Sequence, residues 1–112
     1  MGQHFVVRRG RRLPAQLSAL YMGADFVGQA MVTDLSLTGG RLLGTYPVKR
    51  GADLGVRVYL PDDERPVQIP RAVVRWSQGH DFGLELGPLP PSSRKRLREW
   101  IGRMAEAAYL VT

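Results

Sequence analysis

The chain has 112 residues, 44% apolar and 23% charged, with no cysteine, which describes one folded domain with a single core and excludes disulfides, thiolate metal sites and cysteine nucleophiles. Sixteen lysines and arginines against ten acidic residues leave a net charge of +6, a field that favours anionic partners such as nucleic acid, phosphorylated ligands or an acidic protein face. No apolar run approaches the roughly 18 residues of a membrane span, and "MGQHFVVRRGRR" reverses the order of a secretory signal, so the expectation is a cytoplasmic protein without membrane insertion.

Residues 1–7 read as a flexible tail. Arg8, Arg9, Arg11 and Arg12 then cluster directly ahead of a predicted strand, Leu13 to Met22. "GADF", Gly23 to Phe26, is a plausible hairpin connection into a second strand, Val27 to Thr33. Gly39 and Gly40 break the pattern before "RLLG". Leu54, Val56, Val58 and Leu60 recur at period two and share one face of a strand, and Pro61 to Pro66 supplies the next turn. Val67 to Ser77 is rich in Val and Ile. "QGHD" forms a bend, after which Phe82, Leu84 and Leu86 alternate with Gly83 and Glu85. About six strands without intervening helices predict a mainly β antiparallel barrel or sandwich over residues 13–87 or so.

The period then changes. Ser92 or Ser93 is an N-cap candidate after two prolines, and Leu97, Trp100, Ile101, Met104 and Ala108 line one face of a helix over about residues 92–109. That stripe would pack on the sheet, with Arg94, Lys95, Arg98 and Arg103 toward water. These cations suit the start of a helix dipole poorly, which raises RNA binding as a role for them, but a solvated outer face is the ordinary arrangement.

The stretch "VTDLSLTGGRLL" contains Asp34, Ser36 and Gly39 in the pattern DxSxxG. Asp and Ser supply short acceptors and a hydroxyl, and Gly39 allows close backbone approach to a ligand or a positive φ. The same residues also suit an ordinary Asx or Ser turn closed by glycine. The arginines alter the balance, because Arg8 and Arg12 form RxxxR just before the first strand.

RxxxR followed by DxSxxG resembles the PilZ domain, the bacterial receptor for cyclic di-GMP. The resemblance runs from Arg8 to the C-terminal helix, taking in "RLPAQL", the glycine pair and "HDFGLEL". It implies a six-stranded antiparallel β-barrel with a C-terminal α-helix. It also implies that Arg8 and Arg12 contact phosphate and a guanine edge, with further contacts from Arg9 or Arg11. Asp34 and Ser36 would meet guanine donors or orient an arginine, while Gly39, with Gly40 beside it, would make room for the base or supply backbone contact. Trp76 could stack on a guanine or be a buried residue of the barrel wall. Arginine suits such a ligand because its planar fork pairs with phosphate oxygens and with guanine O6 and N7 alike.

The rival classes are weaker. His4 and His80 lack paired metal-ligand spacing, Ser92 and Lys95 match SxxK without its companion motifs, and "GGRLLG" lacks the Gly-Lys-Ser/Thr ending of a phosphate loop, so no enzyme and no cofactor are expected. A basic nucleic-acid-binding barrel using Trp76 or Tyr59 as stacking platforms ranks second, and a ligand-independent interaction module third. The sequence reading therefore expects a cyclic di-GMP receptor acting through a separate partner protein. A lone domain of this size needs the helix stripe for its own core, which favours a monomer.

Overall fold

The computed structural model describes residues 13–61 and 65–111. Six strands are followed by one helix: β1 (Leu13–Met22), β2 (Val27–Leu35), β3 (Gly39–Gly44), β4 (Asp53–Tyr59), β5 (Val67–Gln78), β6 (Asp81–Leu86) and α1 (Pro91–Val111). The strands close into a barrel in the order β1-β2-β3-β6-β5-β4, every neighbouring pair antiparallel. Closure by the β1–β4 pairing leaves no free sheet edge. The alternative of two stacked sheets is thereby excluded.

The period-two pattern builds the barrel interior. Leu54, Val56 and Val58 of β4 are buried, as are Val67, Ile69, Ala72 and Val74 of β5 and Phe82 and Leu84 of β6. Tyr21 is fully buried between strands, its ring 5.1 Å from Phe82 and 5.7 Å from Phe26 between centroids. Its hydroxyl donates to the Tyr46 carbonyl at 2.5 Å and accepts from the Tyr46 N–H at 2.7 Å, so a polar tip enters the core satisfied. Gly28 and Gly44 make space for that ring, because a Cβ would lie 2.7 Å and 2.4 Å from its atoms, respectively.

"GADF" is the hairpin connection expected, with Gly23 N–H donating to Phe26 O at 3.1 Å. Gly39 and Gly40 do not interrupt the sheet; they open β3. Neither has a positive φ, a conformation found among the described residues only at Gly51 and Gly79, and what Gly40 supplies is close approach. At Gly40 a Cβ would sit 3.1 Å from the Asp34 carbonyl oxygen.

The helix begins earlier than Ser92 and is not capped by a serine. Pro91 takes the first position, where its fixed φ fits and its missing N–H is not needed, and the Pro90 carbonyl accepts from Arg94 N–H at 2.9 Å. Ser93 is buried inside the first turn. The helix packs on β1 and β5 through Leu97, Trp100, Ile101 and Ala105. Met104 is instead 38% exposed, and the side chain of Ala108 is outside the described set. Arg94, Lys95, Arg98 and Arg103 face solvent as expected. Arg96 has a separate task, donating to the Arg65 carbonyl at 2.6 Å and the Pro66 carbonyl at 3.1 Å and so tying the helix to the entry of β5.

Candidate functional site

The candidate residues are brought together by register and by two β-bulges. Val32 of β2 pairs with Leu42, whereas Asp34 pairs with Arg41, so Thr33 is one residue in excess. Val74 of β5 pairs with Leu84, whereas Trp76 pairs with Gly83, so Arg75 is in excess there. Strict alternation would place Asp34 on the side of Val32 and Trp76 on the side of Val74, facing the core. Each bulge reverses the phase and sends its residue to the outer wall. Trp76 is accordingly 37% exposed and is not a core residue of the barrel.

The result is one cross-strand row on the outside of the barrel: Asp34 opposite Arg41, Arg41 opposite Gly83, and Gly83 opposite Trp76. The absence of a side chain at Gly83 is required, because a Cβ there would lie 2.1 Å from Trp76 Nε1. The indole lies across that gap, and the Arg41 guanidinium carbon is 5.6 Å from its ring centroid, within cation–π range.

Arg41 is held by Asp81. Nε donates to Oδ1 at 2.9 Å and Nη2 to Oδ2 at 2.5 Å, a bidentate pair on the surface. Those hydrogen bonds, with the attached charge, keep the Asp81 carboxyl below its ordinary range. Arg41 is shifted upward by the same bonds, by the charge of Asp81 and, more weakly, by that of Asp34. Arg75 and Glu85 form a second outer pair at 2.6 Å, with Glu85 lowered by its hydrogen bond to Arg75. Asp34 itself is half-buried, between the outer row and the turn that follows it.

That turn is built by Ser36, whose side chain is 1% exposed. Its hydroxyl oxygen accepts from the N–H groups of Thr38 at 3.1 Å and Gly39 at 3.0 Å and lies 3.2 Å from the Gly39 carbonyl, to which it donates. The Ser36 N–H also donates to Gly39 O at 2.8 Å. The ordinary serine-turn reading of these residues is thus realised at Ser36, and Leu86 N–H donating to Thr38 O at 2.9 Å fastens the turn to the end of β6.

Arg8, Arg9, Arg11 and Arg12 lie outside the described residues. The described chain begins with Leu13 opposite Leu35 and Pro14 opposite Asp34, so the start of β1 adjoins the end of β2. A groove of about 560 Å³, lined in part by Ser18, Leu20, Met31, Leu43 and Tyr59, runs over β1 to β4, and Leu43 in it pairs with Asp81, the partner of Arg41. Its size falls in the range of small-molecule sites, roughly 300–1,000 Å³.

Arg41, Asp81 and Gly83 were not candidates from sequence. Arg41 follows the glycine pair directly, and Asp81 is the last residue of the "QGHD" bend. Among the described residues no cluster of three His, Cys, Asp or Glu could hold a metal, and His80 Nδ1 instead lies 2.8 Å from the Gly44 carbonyl oxygen. No helix among them is long and apolar enough to cross a membrane.

Comparison with known proteins agrees with this architecture. The structure is similar to that of the Bacillus subtilis inhibitor of motility MotI/DgrA, with a TM-score of 0.68 and 21% identity over 88% of this chain and 51% of that one. The chain therefore spans about half the length of that protein. It is also similar to the PilZ domain of CeSA from a cellulose-synthesizing bacterium, with a TM-score of 0.66 and 14% identity over 81% of this chain and 94% of that one. No curated protein sequence matches the chain. The PilZ domain profile matches residues 7–103, nearly the whole chain and both arginine and DxSxxG motifs, and the protein belongs to the PilZ domain family.

Proposed function

We propose that this protein is a cyclic di-GMP receptor that binds its ligand on the outer wall of the barrel and signals to a separate partner protein. PilZ domains form a family of cyclic di-GMP receptors and are binding modules rather than catalysts. The observation that supports the proposal for this chain is the β1–β2 register: it sets the start of β1, which follows Arg12 in the sequence, against the end of β2, where Asp34 begins a row that continues to Trp76.

In this reading Arg8 and Arg12, aided by Arg9 or Arg11, hold the phosphates and one guanine edge. Asp34 accepts from guanine donors or orients an arginine. Gly39 and Gly40 keep the backbone close, and Trp76 offers a ring for stacking. Ser36 acts by shaping the turn, because its hydroxyl already has three backbone partners there. Ligand binding fixes residues 8–12 on the barrel, and the surface changed by that fixation is what the partner reads.

Calorimetric titration with cyclic di-GMP, with GMP as control, tests the proposal. Saturable micromolar or tighter binding that is absent for GMP and lost in Arg12→Ala supports it. No heat with either ligand refutes it. A protein that binds DNA or RNA instead, with Arg12→Ala reducing the salt slope by only about one contact, is a nucleic-acid-binding barrel. Amide exchange at residues 5–12 that is unchanged at saturating ligand would remove the ordering step and leave the binding.

A further inference from the structure

The row contains one cation that belongs to neither motif. Arg41 stands between Asp34 and Gly83, and its side chain spans toward Trp76 across the gap that Gly83 leaves. A guanidinium has five N–H donors and no acceptor. Asp81 engages one on Nε and one on Nη2, leaving the second on Nη2 and both on Nη1. The plane of the group is thereby held by a bidentate carboxylate while a second pair of donors stays available. An exposed pair of this kind contributes little to stability, so its consequence here is orientation.

Purines differ at the edge such donors meet. Guanine presents two acceptors, O6 and N7, whereas adenine presents N7 as an acceptor and N6 as a donor. A donor-only group held in place pairs twice with guanine and sets donor against donor with adenine. Lysine would supply the charge without the planar fork.

We propose that Arg41 is a specificity-determining ligand residue: its remaining N–H donors read O6 and N7 of a base stacked on the exposed part of Trp76 and select guanine over adenine, with Asp81 as the positioning residue. The proposal rests on the cyclic dinucleotide reading of the site and adds the source of its base discrimination.

The test is calorimetric titration of the wild type, Arg41→Ala, Arg41→Lys and Asp81→Asn with cyclic di-GMP and with cyclic di-AMP, after thermal melts establish that each variant is folded. In the wild type cyclic di-GMP is expected to bind the more tightly. Arg41→Ala is expected to weaken cyclic di-GMP by about tenfold or more without a matching loss for cyclic di-AMP, so that the preference collapses. Arg41→Lys, which keeps the charge and a measurable affinity, should lose much of the preference as well, and Asp81→Asn should lie between it and the wild type. Equal proportional losses for both ligands, or an Arg41→Ala affinity for cyclic di-GMP within about twofold of wild type, overturn the role of Arg41 while wild-type binding leaves the receptor reading intact. A wild type that binds both ligands equally also overturns it. A wild type that binds neither overturns the receptor reading and this inference with it.

Discussion

Arg41 and Asp81 meet on the outer wall through two hydrogen bonds, Nε to Oδ1 at 2.9 Å and Nη2 to Oδ2 at 2.5 Å, and Asp81 is thereby held below its ordinary pKa of 3.8. A carboxyl whose folded-state value is depressed contributes stability that is complete above the unfolded value and is lost as the pH falls through the folded one. Asp81→Asn should therefore be slightly less stable than the wild type at neutral pH, the exposure of the pair keeping the difference small. The difference should shrink as the pH drops below 3.8. Urea unfolding of both proteins at neutral and acid pH checks this, and a difference independent of pH would contradict it.

Ser36→Ala removes a buried hydroxyl that accepts two backbone N–H bonds and donates one to a carbonyl. Leaving buried donors without a partner costs about 1–3 kcal/mol, which denaturant unfolding will register. Because the turn follows Asp34 directly and leads into Gly39, cyclic di-GMP affinity should also fall, although the serine itself is turned into the turn. Unaltered stability with abolished binding would instead mark Ser36 as a direct ligand contact.

Tyr21 is coupled to the glycines that face it. Tyr21→Phe deletes the hydroxyl serving both backbone groups of Tyr46 and should cost about 1–1.5 kcal/mol. Gly44→Ala places a Cβ 2.4 Å from that hydroxyl oxygen and should cost about 1–3 kcal/mol through overpacking. The double variant should be more stable than the sum of the two losses implies, because Tyr21→Phe removes the nearest clashing atom. A double-mutant cycle in urea measures the coupling, and strict additivity would exclude the contact as the cause.

Gly83→Ala acts on the row without touching either motif. The new Cβ would meet Trp76 Nε1 at 2.1 Å, and since Trp76 is an exposed side chain on the outer wall, the indole will rotate away while the barrel remains closed. The expected result is a changed Trp76 fluorescence and weakened cyclic di-GMP binding, with far-UV circular dichroism unchanged. Fluorescence and binding both equal to wild type would show that the ring does not need the lane over Gly83.

The strands and the helix were legible because their signals are local. The alternation of Leu54, Val56 and Val58 places those side chains inside whatever β4 pairs with, and the helical spacing of Leu97, Trp100 and Ile101 does the same for α1. The phase of that alternation was less secure. Reading Met104 into the helix stripe fails because Ala105 faces β1 and β5 instead, and the early start at Pro91 reflects a proline that suits the first helical position better than a serine would cap it. Trp76 was ambiguous between core and surface for the same kind of reason: one excess residue at Arg75 decides it, and nothing in "VVRWSQ" marks where the excess falls.

Hydrophobic period and motif spacing are properties of neighbouring residues, so the elements, their order and the two motifs that tie the chain to the PilZ domain family are legible along the chain. Which strands adjoin, and with that the row, is a property of the closed barrel. Asp34, Arg41, Gly83 and Trp76 come from four strands and become neighbours through the β2–β3, β3–β6 and β5–β6 registers and two bulges. Registers of this kind are set by closing the barrel around Tyr21 and Phe82, a balance of packing over the whole core that no short stretch of sequence contains.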